Sequence, residues 1–332
     1  MSLRIMQPVP EDFWWNVARQ CEYATFYHTP LWRDIALQAN PQAHRDETFA
    51  VVLPSGVRVV FPMISTRQLG SFRWLQATFE NCYGGFIADG PVEPHEATAI
   101  YQHIFDWSTY TFYNIDNPLG PALPEEIQAQ CSDVYNEPTY LVELDADFET
   151  VFGRFQRTQR KDYRRGLRNG VAVRLAQSLE EYRIYYGIYQ DALDRWSEGT
   201  LASYEWHLFE LFYQFSQNYP EEIKLWVFTL EEQIVGGTLI FYWGAVASAW
   251  NGTAHRDFLS YDVMPVGDTE IIRDAIKRGY RYFDFNTSGN KEGVQTYKLR
   301  FAPTTKPIHM WRFESPLLQP MQQIYWKATG KR

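Results

Sequence analysis

Residues 281–302 read R-Y-F-D-F-N-T-S-G-N-K-E-G-V-Q-T-Y-K-L-R-F-A and join a short apolar strand to a loop and a Tyr-Lys pair. Alternation along the strand places Asp284 on the opposite face from its two phenylalanine neighbours. Residues 286–293 have the composition of a loop, and Tyr297 and Lys298 return on a short helix or turn. A carboxylate at a strand end, beside a loop and a lysine, is typical of an α/β enzyme site.

The length of the chain and the order of its predicted elements indicate two domains. A chain of 332 residues exceeds the usual size of one hydrophobic core. A helix, a hairpin, a helix and a strand recur in the same order at an offset of about 170–177 residues, which favours two copies of one α/β unit over a chance repeat of a common order. We place the domains at residues 1–145 and 146–332.

The composition argues against several classes of function. A net charge of −9 is unlike that of general DNA-binding or membrane-surface proteins. The three cysteines, Cys21, Cys82 and Cys131, show neither metal-ligand spacing nor a disulfide framework, which favours a reducing compartment. There is no apolar signal segment and no uncharged run long enough to cross a bilayer. The sequence therefore predicts a cytoplasmic protein without a metal site, a DNA partner or a membrane span.

The second half is predicted to contain two helices, three antiparallel strands, a third helix and a last strand. These elements are placed at 179–193, 204–217, 223–230, 234–243, 245–251, 268–278 and the strand ending at Asp284. Asp268 is the predicted N-cap of the third helix and Gly279 its C-cap.

This order resembles that of the FemAB-like branch of the GNAT acyltransferase superfamily. Four segments carry the resemblance: Asn81-Cys82-Tyr83-Gly84-Gly85, the basic segment 154–168, Gly236-Gly237-Thr238-Leu239-Ile240, and F-D-F-N-T-S…G-V-Q-T-Y-K-L-R-F-A at 283–302. The last is similar to the family pattern F-D-F-G-x-S…G-x-x-x-F-K-x-x-F-G, from which this chain departs at Asn286, Tyr297 and Ala302. The resemblance implies an α/β (α+β) fold of two tandem GNAT-like domains, each a mixed, mainly antiparallel sheet flanked by helices. The acyl-transfer site is expected in the second domain, and the first domain is expected to be degenerate.

Three residues of the segment 281–302 are candidate catalytic groups. Lys298, which in the resembling family lies at the acyl-donor site, could stabilise the oxyanion of acyl transfer; the alternative is a surface lysine on a short helix. Asp284 could hold a substrate amine or act as a base, or it could cap a loop amide. Tyr297 could donate a hydrogen bond to the substrate, or pack in the core. Asn286 and Ser288 could bind substrate as loop donors, although such residues also fill ordinary loops.

A basic segment is unusual in this acidic chain. At helical spacing Arg157, Lys161, Arg164 and Arg168 form one stripe, which suits the phosphate groups of an acceptor. The alternatives are a solvated helix face and pairing with acidic residues of the first domain.

The cofactor prediction concerns residues 264–270, where GNAT acetyltransferases hold the pyrophosphate of CoA at a helix N-terminus. Gly267, Asp268 and Thr269 are the candidate cofactor-binding residues, but the charge of Asp268 would repel a pyrophosphate. We therefore expect no tightly bound cofactor and an acyl donor that is either aminoacyl-tRNA or acetyl-CoA.

Together these features predict an acyltransferase, of aminoacyl groups by preference, acting on an amine or hydroxyl of a phosphate-bearing small-molecule or lipid-linked acceptor. The resemblance implies cell-envelope or exopolysaccharide biosynthesis, such as peptidoglycan assembly, and the acceptor end of a tRNA as a further partner. The alternatives are an acetyl-CoA-dependent N-acetyltransferase and a non-catalytic binding protein that retains the GNAT fold.

Overall fold

The chain folds into two compact units. In the computed structural model, which describes residues 3–77, 79–195, 203–289 and 291–316, Glu137–Pro307 forms one unit, and the chain before and after it, up to Asn136 and from Ile308, forms the other. These limits differ from the predicted ranges 1–145 and 146–332. The last strand joins the first unit through its pairing with a strand almost 200 residues earlier, which no local sequence pattern encodes.

The first unit contains two sheets and several helices. Its elements are β1 (Ile5–Met6), α1 (Glu11–Gln20), α2 (Pro30–Ala39), β2 (Arg45–Asp46), β3 (Phe49–Val52), β4 (Arg58–Phe61), β5 (Ile64–Leu69), β6 (Phe72–Gln76), β7 (Ile87–Ala88), α3 (Pro94–Ile104), β8 (Thr109–Ile115) and α4 (Glu125–Gln128). One sheet has the order β1-β3-β4-β7, and β8 pairs with β6, which pairs with β5 and then β2. Thr29 caps α2, since its hydroxyl accepts a hydrogen bond from the amide of Trp32.

The second unit contains a mixed sheet flanked by helices. Two strands contain residues of both units, β9 (Cys131–Glu143) and β15 (Thr304–Glu314). The other elements are α5 (Phe148–Arg154), α6 (Arg157–Arg168), β10 (Ala172–Leu175), α7 (Leu179–Arg195), α8 (Trp206–Asn218), β11 (Ile223–Leu230), β12 (Gln233–Trp243), β13 (Val246–Ala254), α9 (Val263–Lys277), β14 (Tyr282–Asp284) and α10 (Glu292–Leu299). The strand order is β10-β11-β12-β13-β14-β9, and all neighbours are antiparallel except β13 and β14. The predicted mixed, mainly antiparallel sheet is confirmed.

Strands β13 and β14 separate part-way along their length, and this separation positions the site. They pair only from Val246 with Tyr282 to Ser248 with Asp284, whereas β13 continues to Ala254. The pairing of β13 with β12 shifts register around Trp250, and a bulge of this kind bends a strand away from its neighbours. The two strand ends therefore diverge and leave an opening between them.

Helix α9 begins earlier than the sequence predicts. The predicted start at Asp268 is wrong, because the helix extends from Val263 and follows Asp262, whose φ of 60° is left-handed. Buried Val263 and Val266 continue the apolar face of the helix by more than one turn. Pro265 is tolerated because it lies in the first turn, where its missing N–H has no helical acceptor.

Candidate active site

A cavity of about 1060 Å³ lies where β13 and β14 separate in the second unit. Its lining comes from α6, α7, β12, β13, α9, the loop after β14, and α10. The polar lining residues used below are Asp162, Thr238, Asp262, Asp268, Asn286, Thr287, Tyr297, Lys298 and Arg300.

Lys298 is a buried cation at the wall of this cavity, with 8% of its surface exposed. Its Nζ donates to the carbonyl oxygens of Phe285, Asn286 and Thr287 at 2.7, 3.0 and 2.7 Å. An ammonium group has three hydrogens, so all of them are held by the loop after β14. The alternative of an exposed surface lysine is therefore wrong.

The surroundings of Lys298 leave it charged at neutral pH. Burial lowers its pKa to about 8, and the negative charges of Asp284, Glu137 and Asp268 oppose this effect. The lysine thus combines a fixed position in the loop with a positive charge beside the cavity.

Asp284 holds the loop from the strand end. The carboxylate is buried, accepts a hydrogen bond from the hydroxyl of Thr139 at 2.8 Å and accepts another from the amide of Asn286 at 2.8 Å. It does not belong to the cavity lining. The structure therefore favours the capping alternative over direct contact with substrate.

The other two predicted loop donors have different positions. Asn286 lines the cavity, and its side-chain amide donates to the carbonyl of Ala249 at 2.7 Å, which ties the loop to β13. Ser288 is buried outside the lining, and its hydroxyl has no hydrogen-bond partner among the residues that the structure describes.

Two of the departures from the family pattern have a backbone explanation. Asn286 and Ala302 have φ values of 55° and 50°, in the left-handed region where glycine is at ease. The family pattern has glycine at both positions. Asparagine tolerates this conformation better than alanine does, so the departure at Ala302 carries the larger strain.

Tyr297 and Asp268 form a hydrogen-bonded pair on the cavity wall. The Tyr297 hydroxyl donates to Oδ2 of Asp268 at 2.6 Å, and the Thr238 hydroxyl approaches Oδ1 at 3.3 Å. Asp268 is only 2% exposed, and burial raises its pKa to about 6 while Tyr297, Thr238 and Lys298 oppose that rise. The sequence identifies Asp268 as a candidate cofactor-binding residue, and the structure places it on the cavity wall, inside α9 and not at its start.

The other candidate cofactor residues lie inside the helix. A side chain at Gly267 would meet Phe228, since a Cβ there would lie 2.1 Å from the ring. Thr269 is fully buried and donates to the carbonyl of Pro265 at 2.7 Å. Neither residue belongs to the cavity lining.

The N-terminus of α9 carries negative charge instead of an anion-binding loop. The carboxylate of Asp262 precedes the helix and is bound by both ends of the Arg165 guanidinium, with Nη2 at 2.6 Å from Oδ1. The helix dipole favours an anion at this end, but the Asp262 side chain makes no capping hydrogen bond to the helix and is paired with Arg165.

The basic stripe faces away from the cavity. Arg157, Lys161, Arg164 and Arg168 are exposed on α6 and do not belong to the cavity lining. The buried face of this helix carries Gln159, Tyr163 and Gly166. Arg157, Lys161 and Arg168 have no ion-pair partner among the described residues of the second unit. The sequence identified the stripe correctly but could not indicate what it faces.

The family comparison agrees with this geometry. Residues 153–299 match the family described as an acetyltransferase (GNAT) domain. The matched residues lie within the second unit. No curated protein matches the chain by sequence.

Comparison with solved structures extends the likeness to both units. A structure of FemX has a TM-score of 0.73 at 12% identity and covers 97% of this chain and 99% of its own. The C-terminal domain of a putative lysylphosphatidylglycerol synthetase from Agrobacterium fabrum has a TM-score of 0.53 at 14% identity, covering 88% and 94%. A tandem GNAT protein from the clavulanic acid biosynthesis pathway has a TM-score of 0.50 at 12% identity, covering 95% and 99%. The predicted FemAB-like, tandem GNAT fold and the acyltransferase class of the GNAT domain are confirmed.

Membrane-spanning helices and clusters of metal-binding side chains are both absent from the described residues. Within the described ranges, no helix has the length and apolar character that a membrane crossing requires. The same residues contain no group of three or more His, Cys, Asp or Glu side chains arranged to hold a metal ion.

Proposed function

We propose that this protein transfers an aminoacyl or other acyl group to an amine or hydroxyl of a phosphate-bearing acceptor, in the building of the cell envelope or an exopolysaccharide. The observation that carries the proposal is the buried cation Lys298 on the wall of a large cavity in a GNAT domain. The likeness to FemX and to a putative lysylphosphatidylglycerol synthetase supports this setting.

In the proposed reaction, the acceptor nitrogen or oxygen attacks the acyl carbonyl carbon and the carbonyl oxygen becomes an oxyanion. The donor oxygen or sulfur then leaves with the proton that the acceptor loses. Lys298 stabilises the oxyanion through its charge, which acts more strongly at a buried position than in bulk water. Its longest hydrogen bond, 3.0 Å to the carbonyl of Asn286, is the one that we expect it to exchange for the oxyanion.

An aminoacyl donor fits the site better than CoA does. Asp262 occupies the N-terminus of α9, Pro265 removes one amide donor there, and buried Asp268 faces the cavity. Each of these features opposes the binding of a pyrophosphate. Acetyl-CoA remains the second candidate donor, because the matching family is described as an acetyltransferase domain.

The proposal is tested with labelled aminoacyl-tRNA as the donor and two acceptor fractions, one nucleotide-linked and one lipid-linked. We expect label to move to one of the two fractions only when the enzyme is present. A parallel thermal titration with acetyl-CoA should leave the melting temperature unchanged, because a ligand of the native state would raise it. A saturable rise with acetyl-CoA, together with no transfer from tRNA, would contradict the proposed donor.

A further inference from the structure

Asp268 differs from the other carboxylates of the cavity because it lacks a cationic partner. The described lining contains three carboxylates. Asp262 is paired with Arg165, and Asp162 lies 3.1 Å from Arg165 and 3.4 Å from Arg300. Asp268 makes no ion pair with any described residue, and its partners are the neutral hydroxyls of Tyr297 and Thr238.

The nearby lysine does not supply the missing charge by contact. All three hydrogens of Lys298 go to backbone carbonyls, so it acts on Asp268 only through space. A carboxylate has about four lone-pair sites, and the two hydroxyls use two of them. Since a buried charge without a counterion is costly, the remaining sites favour a ligand that brings positive charge and N–H donors.

We propose that Asp268, with Tyr297 and Thr238 holding its two oxygens, forms a subsite for the primary ammonium group of a substrate. The inference rests on the proposed function and narrows it, because it requires a primary amine on either the donor or the acceptor. Two sources have this chemistry, the α-amino group of an aminoacyl donor and the amine of an acceptor.

The protonation states near the subsite agree with this role. Burial raises the pKa of Asp268 only to about 6, so the carboxylate is ionised at neutral pH. The titratable groups that act on it are Lys298 and Tyr297 from α10 and Tyr185 from α7. Burial raises the pKa values of both tyrosines well above their usual range, so they stay neutral while the aspartate titrates.

The subsite is tested by binding, which needs no turnover. Ligand-observed NMR on the full chain measures the dissociation constants of two amines, L-alaninamide and 1-propylamine, and of their hydroxyl counterparts, lactamide and 1-propanol. We expect the preferred amine to bind at about pH 7.5 and to bind about tenfold more weakly to Asp268→Asn, because a charged hydrogen bond is worth about 1.4 kcal/mol. Preference for L-alaninamide assigns the subsite to the donor, and preference for 1-propylamine assigns it to the acceptor.

A second carboxylate of the same cavity provides the matched control. In Asp162→Asn we expect the amine affinity to stay within about twofold of wild type, since Asp162 is already paired with arginines. Equal amine affinity in wild type and a folded Asp268→Asn, equal losses in both variants, or no amine binding to wild type would each overturn the inference. Failure of acyl transfer with intact, Asp268-dependent amine binding would overturn only the proposed function.

Discussion

Lys298 is both the strongest catalytic candidate and the main anchor of the loop after β14. Its three hydrogen bonds fix the backbone of residues 285–287 beside the cavity. A substitution at this position therefore changes the charge of the site and the order of the loop together.

For Lys298→Ala we expect transfer to fall at least about 100-fold, as when an oxyanion donor is removed. The free energy of unfolding should also fall by about 2–4 kcal/mol, because three carbonyls lose a charged donor. Initial rates and urea denaturation measure the two effects. The exposed Lys277→Ala in α9 should change neither quantity, and wild-type activity in Lys298→Ala would remove the lysine from the mechanism.

The pH dependence of transfer follows from two shifted groups. The pKa of Asp268 is raised to about 6 and that of Lys298 is lowered to about 8. Below the first value the acid is protonated and cannot hold an ammonium group, and above the second the lysine is neutral. We therefore expect kcat/KM, which reports the ionisation of the free enzyme, to rise as the pH passes about 6 and to fall as it passes about 8.

The same pH profile measured for Asp268→Asn shows whether Asp268 causes the loss of rate below about pH 6, which is the acid limb of the profile. We expect this variant to lose the fall in rate below about pH 6 and to keep the fall above about pH 8. An acid limb that persists unchanged in the variant would assign it to another group.

At single positions, the sequence could predict which residues are candidates for catalysis better than it could predict which groups those residues contact. Lys298 could be identified because it belongs to a recognisable motif. Asp284 could not be assigned, because a strand-end carboxylate caps amides as readily as it binds substrates, and the structure shows the capping contact. Asp268 is predicted at a helix start because aspartate is a good N-cap residue, although the helix begins at Val263 and Asp268 lies in its second turn.

Among the elements, hairpins were predicted most accurately. The predicted strand 223–230 matches β11, in which Leu225–Phe228 form a buried apolar run. Strand β13 extends three residues beyond its predicted end at 251, because Gly252-Thr253-Ala254 has weak strand propensity and is held by pairing with β12. Tertiary pairing of this kind is not visible in a local pattern.

The turn after α10 stores strain that can be relieved. Ala302 is exposed and has a φ of 50°, which costs an L-residue about 1–2 kcal/mol. We expect Ala302→Gly to raise the free energy of unfolding by about 0.5–1 kcal/mol, after the larger chain entropy of glycine is subtracted. Urea denaturation of the two proteins measures the difference.

Ala129 provides the control for this substitution. It is also exposed, but its φ is −61° in the right-handed helical region. Ala129→Gly should therefore destabilise the protein by about 0.5–1 kcal/mol. A loss of stability in Ala302→Gly as large as that in Ala129→Gly would contradict the strain argument.

For the whole molecule, the tandem order of elements could be predicted but the limits of the units could not. Helix, hairpin, helix and strand recur in both units, and such a repeat is readable from hydrophobic periodicity. The return of β15 to the first unit depends on its pairing with β8. That pairing joins distant residues, so it became visible only in the folded chain.

We expect the exposed basic stripe to bind phosphate groups in the proposed function. We expect the triple variant Arg157→Glu, Lys161→Glu and Arg168→Glu to weaken tRNA binding at least about tenfold. The salt dependence of binding should also decrease, by about 0.7–0.9 in log–log slope for each lost phosphate contact. Filter binding over a salt series measures both effects.

The control for the stripe reverses charges elsewhere on the surface. Arg183→Glu and Lys277→Glu change exposed residues of α7 and α9 and should leave tRNA affinity within about twofold of wild type. An equal loss in this pair would indicate a general effect of net charge, and no loss in the triple variant would exclude the stripe as a phosphate-binding surface.

A two-label competition measures which acyl donor the enzyme uses. The enzyme receives tritiated acetyl-CoA and carbon-14 aminoacyl-tRNA together, with the nucleotide-linked and lipid-linked acceptor fractions present. We expect carbon-14 in an acceptor fraction, no enzyme-dependent tritium there, and loss of the carbon-14 product with Lys298→Ala. Tritium alone in the product would contradict the account and would make the protein an acetyl-CoA-dependent acetyltransferase.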